Sequence, residues 1–573
     1  MKPVRLPASA TITLPRWGLI SLCLLYILPG IFGRDPWKTD DAAGFGIMWT
    51  MANGTLFDWL FPNIQGLPMP NEAPLAYWTG AMLIKAFNWL IEDHLAAKIS
   101  TLFFFAIGLV SIWHTAFLYG SRFEAQPLKL AFGGQPAAAD YSRALADGAL
   151  LIYVACLGLL LRSHETAVPA LYVALVGAVF YSSAKIFHEK TIKASIFLGI
   201  NLSLLGLTKN LLLPTFLLLS FIFLAAFKYR SLLRLIIFIT IPISFSFSAI
   251  WLLSQYFFLE NESIFLKYLL ISNLKIINWP NLDNIYFFLK TAVWYTWPAW
   301  PIAAWAIYAW RRQNALHILL PIFGIFSILL LIFVTKNPKD IDLLPLIPPL
   351  AILATFGLST LKRGAINAID WFAVMTFSSL ALFIWLGWIA QQTGWPKDLI
   401  NNFYRLAPGF KPEMNLIALI VASLTTFGWL QLLRWRLGRR PSVIWRAVVL
   451  STGGLVLCWV LLMTLWLSWL NYGQSYAPVA IEIKNKMPIN YKCVDTINLG
   501  PGQRASFAYL GNIEFSKARV KKIINDCKLT LVQDNGLKRR SNKLIEVDQK
   551  YIEIWRGRRP SDKNELFRLF LKD

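Results

Sequence analysis

The side chains whose types and spacing suit chemistry fall in five short segments, each beside a long apolar block. Asp40 and Asp41 are adjacent carboxylates just beyond the first block. Solvated, they begin a hydrated loop; held at a membrane boundary, they supply a base or a cation ligand. Asn71 and Glu72 stand ahead of Pro74, Leu75, Ala76, Tyr77 and Trp78. Pro74 suits the start of a surface helix, and a carboxylate is favoured just ahead of a helix N-terminus. That capping role and a place in a pocket are both open. His164 and Glu165 share a short link between two blocks. A polar turn accounts for them, and so does proton transfer or, with Asp40, a divalent metal site.

The other segments are cationic. Lys209 lies in Gly206-Leu207-Thr208-Lys209-Asn210, with Pro214 behind it, and joins two apolar blocks. Lys336 and Lys339 precede Asp340, Asp342, Leu343, Leu344 and Pro345, then Pro348 and Pro349. A solvated loop explains the latter lysines; with Lys209 they also suit an anionic headgroup. The sequence has no P-loop, dinucleotide glycine fingerprint, HExxH or paired CxxC, which argues against a nucleotide-fuelled enzyme or pump.

The elements that must position these residues are membrane spans. Of 573 residues, 56% are hydrophobic and 15% charged, against about a quarter charged in soluble domains. Apolar blocks of roughly twenty residues read as spanning helices. They are 14–32, 97–119, 148–162, 167–184, 194–208, 211–227, 235–255, 291–310, 314–334, 343–359, 368–390, 413–433 and 446–470. These make a polytopic α-helical membrane protein with about thirteen crossings. The first block follows Lys2, Arg5 and Arg16 but has no small-residue cleavage site after it, so it reads as a retained helix. Lys and Arg gather in alternate loops, up to Arg434, Arg436, Arg439, Arg440 and Arg446. By the positive-inside rule the N-terminus is inside and residues 471–573 are outside. The net charge of +24 reflects this bias. No basic and aromatic stripe accompanies it, so nucleic acid is not an expected partner.

Segments 33–96, 256–290 and 391–412 are the long outer loops, and long loops often carry function. Stretch 75–91 in the first suits a helix at the membrane surface, with Trp78, Lys85 and Trp89 at the interface. Residues 1–470 thus form the membrane domain, and 471–573 a small α/β domain. In the latter, 505–510 and 551–555 alternate like strands and 516–525 suits a helix. Cys23, Cys156 and Cys458 lie in apolar blocks as inert thiols. Cys493 and Cys527 would pair if that domain faces an oxidising space and they lie close enough.

Taken together, the segments resemble the polyprenyl-phosphate-dependent membrane glycosyltransferases of the GT-C class. The nearest likeness is to lipid A aminoarabinose transferases, with protein O-mannosyltransferases more distant. Asp40-Asp41 matches an Asp-Glu pair in the family's first outer loop. Residues 71–78 resemble its Glu-Lys-Pro-Pro-Leu-x-Tyr-Trp, and 206–214 its Gly-Leu-x-x-Leu-x-Lys-Gly-Pro. Residues 339–349 resemble its Arg-Glu-Leu-Tyr-Leu-Leu-Pro-x-x-Pro. The likeness covers the order of motifs from about 33 to 350 and the layout beyond.

This resemblance implies transfer of a sugar from a polyprenyl-phosphate donor to a lipid, glycan or protein acceptor. The setting implied is the outer face of the bacterial inner membrane. It makes Asp40 the leading catalytic carboxylate, Asp41 its neighbour, and sets Glu165 near a family Asp. Lys209, Lys336 and Lys339 would face the donor phosphate, and Asn71, Glu72, His164 and Asp342 would line an acceptor or headgroup pocket. The sequence departs from the pattern at Asn71, Glu72 and Ala73, where the family has Glu, Lys and Pro, and at Asp342, where it has Tyr. Ala43 and Gly44 replace a basic and an aromatic residue. Aminoarabinose specificity is therefore not carried over. The donor is pre-activated, so no cofactor is required, and a divalent metal stays open. The rival readings are a transporter or flippase, which would show charges within spans, and a non-catalytic subunit of envelope polymer assembly.

Overall fold

The computed structural model describes residues 4–130, 133–258, 276–438, 443–516, 527–535, 551–562 and 564–572. A chain in hydrocarbon must close its own backbone hydrogen bonds, and its apolar blocks do so as helices. The chain opens with α1 (Arg16–Ile27). The segment after it folds into α2 (Asp40–Asn53), α3 (Leu56–Leu60), the hairpin β1 (Asn63–Ile64) and β2 (Leu67–Pro68), and α4 (Leu75–Phe87). Helix α4 covers most of the helical stretch expected at 75–91. It buries Ala76, Tyr77, Gly80, Ala81 and Ile84 and leaves Met82 exposed.

Next come α5 (Asp93–Gly120), α6 (Ala138–Ala155), α7 (Leu157–Arg162), α8 (Val168–Glu189), α9 (Ile192–Gly206) and α10 (Leu212–Lys228). Thr191 caps α9, its hydroxyl accepting from the Ala194 N–H at 3.2 Å. Helices α11 (Ile241–Phe258), α12 (Leu282–Tyr295), α13 (Ala299–Trp310) and α14 (Leu316–Val334) follow. A 3₁₀ turn (Asp340–Leu346) leads into α15 (Ile347–Leu358), then α16 (Arg363–Thr393), α17 (Lys397–Leu406), α18 (Leu416–Gly438), α19 (Arg446–Leu465) and α20 (Leu467–Gln474).

Among the described residues nine helices are long and apolar enough to cross a membrane, and 192–206 and 212–228 are shorter apolar helices. The other two spans read from sequence differ more. At 148–162 the helix starts early, at Ala138, and stops at Cys156, whose ψ of 120° is extended. At 291–310 the chain breaks around Pro298, which has no N–H to donate, giving α12 and α13. Burial separates centre from rim. The apolar windows of α8 and of Asp340–Leu358 are 89% buried, and those of α16 and α18 22% and 11%. The former pair is the middle of the bundle; the latter lies at its rim, with α16 and α18 packed on α19.

Residues beyond 474 form α21 (Ala477–Lys486), β3 (Val494–Ile497), α22 (Pro501–Leu510), β4 (Leu529–Asn535), β5 (Tyr551–Gly557) and β6 (Glu565–Lys572). The sheet order is β3-β4-β6-β5, with β3 and β4 parallel and the other pairs antiparallel. Cys493 and Cys527 are joined as a disulfide. The strand expected at 551–555 is β5, but 505–510 is helical. Pro501 starts that helix, and its Ala505 face packs into Gly46 of α2, so tertiary contact overrides a six-residue alternation. The helix expected at 516–525 lies almost wholly outside the described residues.

The sheet side docks onto the β1–β2 hairpin through buried Arg504. Its guanidinium donates to the carbonyls of Ile64 (3.0 Å) and Gln65 (2.7 Å), and to Ser516 O (2.9 Å) and Thr496 Oγ1 (3.0 Å). Gly502 sits so close to the Thr39 carbonyl that a Cβ would lie 2.6 Å from it. Nearby, Lys38 pairs with Asp562 at 3.1 Å.

Candidate active site

One cavity of about 700 Å³ opens between α2, the 71–77 segment, the starts of α8 and α10, the 335–345 segment and the N-terminus of α22. Of the residues singled out from sequence, Asp40, Asn71, Glu72, Lys209, Lys336, Lys339 and Asp342 line it. Asp41, His164 and Glu165 do not.

Six charged side chains, Asp40, Glu72, Lys209, Lys336, Lys339 and Asp342, interrupt a mostly apolar lining. Glu72 stands ahead of α4 and accepts a hydrogen bond from the Tyr77 hydroxyl at 2.6 Å. Burial pushes its carboxyl up, against the pull of that bond and of Lys209. The Leu75 N–H donates to the Leu207 carbonyl at 3.1 Å, which locks this segment to the one bearing Lys209. Lys209 forms an ion pair with Asp342 and lies 5.6 Å from the centre of the Tyr172 ring. The second oxygen of Asp342 accepts the Lys339 N–H at 2.8 Å. Lys336 is fixed by its backbone, which donates to the Ile276 carbonyl at 2.6 Å. The side chains of Lys336 and Lys339 are exposed, with no ion pair among the described residues. The apolar walls include Leu213, Trp251, Ile328 and Leu331.

Asp40 is exposed at the first turn of α2, and its Oδ2 lies 3.3 Å from Arg162 Nη1. Its neighbour is different in kind. Asp41 is buried and fully partnered: Arg34 at 2.8 Å, the Trp37 N–H at 3.1 Å, and the Thr166 N–H and hydroxyl at 2.6 and 2.8 Å. Burial alone would push its carboxyl up; Arg34, Lys98 and Thr166 hold it below the ordinary value. Asp41 thus braces the 34–41 segment against the 163–167 turn. This brace explains the small residues after it. A side chain at Gly44 would collide with the Thr166 carbonyl.

His164 is also a packing residue. Its ring nitrogens lie 2.6 Å from the Leu160 carbonyl and 2.9 Å from the Tyr26 carbonyl, and its ring packs on Trp459. Burial lowers its basicity to a pKa of about 4. Glu165 is buried, and both its oxygens face Arg162, at 3.1 and 3.0 Å. Burial pushes its carboxyl up to about 7 against that pull. The metal set read from sequence, His164 with Glu165 and Asp40, therefore does not assemble: the imidazole faces carbonyls and the carboxylates share a guanidinium. Among the described residues no group of three or more His, Cys, Asp or Glu is placed to hold a metal.

Sequence reasoning missed Arg162, Tyr172 and the tip of α22, where Pro501, Gly502 and Gln503 line the cavity. Arg162 carried a signal: like Lys209, it is a basic residue at a block end where the orientation read from sequence disfavours one. The α22 tip carried none.

No protein-family model and no curated protein matches the sequence. The fold, however, is similar to that of ArnT from Cupriavidus metallidurans bound to undecaprenyl phosphate. The TM-score is 0.62 at 14% identity, covering 96% of this chain and 97% of that one. The apo ArnT structure aligns over the same shares with a TM-score of 0.60. Overlap with the archaeal oligosaccharyltransferase AglB from Archaeoglobus fulgidus is lower, with a TM-score of 0.43 at 10% identity over 86% of this chain and 64% of that one. The chain thus has the GT-C membrane fold seen in ArnT.

Proposed function

We propose that the protein is a glycosyltransferase that moves a sugar from a polyprenyl-phosphate-linked donor to a cell-envelope acceptor, a lipid, glycan or protein. The observation that carries this reading is the meeting of Asp40, Lys336 and Lys339 on one cavity that also has apolar walls. The ArnT structure that shares the fold holds undecaprenyl phosphate, which supports a lipid-phosphate donor here.

The chemistry follows from the leaving group. As the bond between the anomeric carbon and the phosphate oxygen breaks, negative charge grows on the phosphate, and ammonium groups beside it lower the barrier. Lys336 and Lys339 are the candidates, with no ion pair among the described residues, while Lys209 already has Asp342 as counter-ion. The acceptor oxygen forms the new bond to the anomeric carbon, and Asp40 takes its proton or, for an ionised acceptor, orients it. Leu213, Trp251 and Leu331 offer the prenyl chain an apolar wall. Glu72, where the related family has a cation, makes this pocket less positive and points to a different sugar or acceptor.

In this scheme the site faces the periplasm from the inner membrane, with the N-terminus cytoplasmic and the sheet side outside. The Cys493–Cys527 disulfide supports that placement, because disulfides persist in oxidising compartments. Turnover of lipid-linked sugar by the purified full chain, with and without a chelator, tests the proposal. Release of polyprenyl phosphate coupled to acceptor glycosylation is expected, with loss of turnover in Asp40→Asn at normal expression. Full activity in that variant removes Asp40 from its role; absence of any turnover across candidate sugars and acceptors favours a non-catalytic subunit.

A further inference from the structure

Arg162 ends α7 outside the cavity wall, behind Asp40. Its Nη1 lies 3.3 Å from Asp40 Oδ2 and 3.1 and 3.0 Å from the Glu165 oxygens. One guanidinium nitrogen therefore serves two carboxylates of unlike setting: the Asp40 side chain is 68% exposed and that of Glu165 8%. The other charged and titratable groups around this trio are Asp41, Arg34 and Tyr295 of α12, with Glu72 and Tyr77 on the cavity side of Asp40. Arg34 is already engaged by Asp41 at 2.8 Å.

We infer that Arg162 is a positioning residue for Asp40, holding that carboxylate aimed at the cavity, with Glu165 as the buried anchor of the guanidinium. This rests on the role given to Asp40 above. An exposed carboxylate on a first helical turn samples several rotamers. A charge-assisted bond to a guanidinium selects one. An arginine free in solvent would lose side-chain entropy in doing so. Arg162 has already been ordered by its contacts with both oxygens of Glu165. The second carboxylate also matters during turnover. When Asp40 takes up a proton, its hold on the guanidinium weakens, and Glu165 keeps the cation paired.

The test uses the purified full chain, with kcat and the binding of polyprenyl phosphate measured separately. Arg162→Gln is expected to lower kcat by about 10- to 100-fold, as misplacing a reacting group does. Lipid-phosphate binding should stay unchanged. Arg162→Lys restores part of the rate. Glu165→Gln, which removes the charged anchor of the guanidinium, lowers kcat by a smaller factor at unchanged lipid-phosphate binding and serves if Arg162→Gln does not fold. An unchanged kcat in the folded variants overturns the inference, as does a loss of lipid-phosphate binding that accounts for the whole rate effect. If Asp40→Asn is inactive while Arg162→Gln keeps full rate, this inference alone fails; if Asp40→Asn is fully active, the role of Asp40 fails with it.

Discussion

Lys209 and Asp342 form an ion pair in the cavity wall although they lie 133 residues apart in the chain. Among the described residues the pair divides the cations of the site into one with a carboxylate partner and two, Lys336 and Lys339, without one. Asp342→Asn frees Lys209 while keeping an acceptor for the Lys339 N–H. Polyprenyl phosphate should then bind about tenfold tighter, roughly 1.4 kcal/mol, in a titration of the purified protein. Unchanged or weaker binding would show that Lys209 does not face the phosphate.

The two adjacent aspartates separate by role. Asp41→Asn removes one member of a buried ion pair with Arg34, a loss of about 3–5 kcal/mol, so the thermal midpoint and the yield of folded protein fall. Asp40→Asn alters an exposed carboxylate and leaves both near the parent values. Equal midpoints for the two variants would contradict the bracing role of Asp41.

Glu165 makes stability depend on pH. Its carboxyl is raised to about 7 in the fold, against an ordinary 4.5. The folded state therefore holds the proton more tightly than the unfolded chain. The stabilisation is fully present below about pH 4.5 and is lost as pH rises to about 7. Glu165→Gln removes the titration, so the fall in thermal midpoint between these pH values flattens relative to the parent. Parallel curves for the two proteins exclude this assignment.

The Cys493–Cys527 bridge closes a sequence separation of 34 residues. A loop of that size is worth about 3–4 kcal/mol through the unfolded state. Reductant, or the double change Cys493→Ser with Cys527→Ser, should lower the midpoint of a probe in the sheet, such as Trp555 fluorescence. An unchanged midpoint would place the stability of this part in its apolar core instead.

The fold was legible where physics leaves one solution. Hydrocarbon admits unpaired backbone nowhere, so blocks such as 316–334 and 446–465 announce themselves by composition. The break between α12 and α13 was less visible, since Pro298 sits among tryptophans that keep the window apolar. The short run at 505–510 misled because its alternation is compatible with a helix packed on one face. In the site, Asp40, Glu72 and the lysines were found from charge at the outer ends of spans. His164, Glu165 and Asp41 share that placement, but their burial against Tyr26, Arg162 and Arg34 depends on chain segments far away. Local sequence holds no record of which polar residue finds its partner inside the protein.

The docking of Arg504 on Ile64 spans 440 residues of sequence, and this sets an order of events. Synthesis runs from the N-terminus, so the other segments that border the cavity are made before Pro501, Gly502 and Gln503. During that interval the nascent chain has its lysines and its aspartate but lacks a wall. The tip of α22 is thus the last part of the chamber to be synthesised, and no chain that stops short of it owns a complete one.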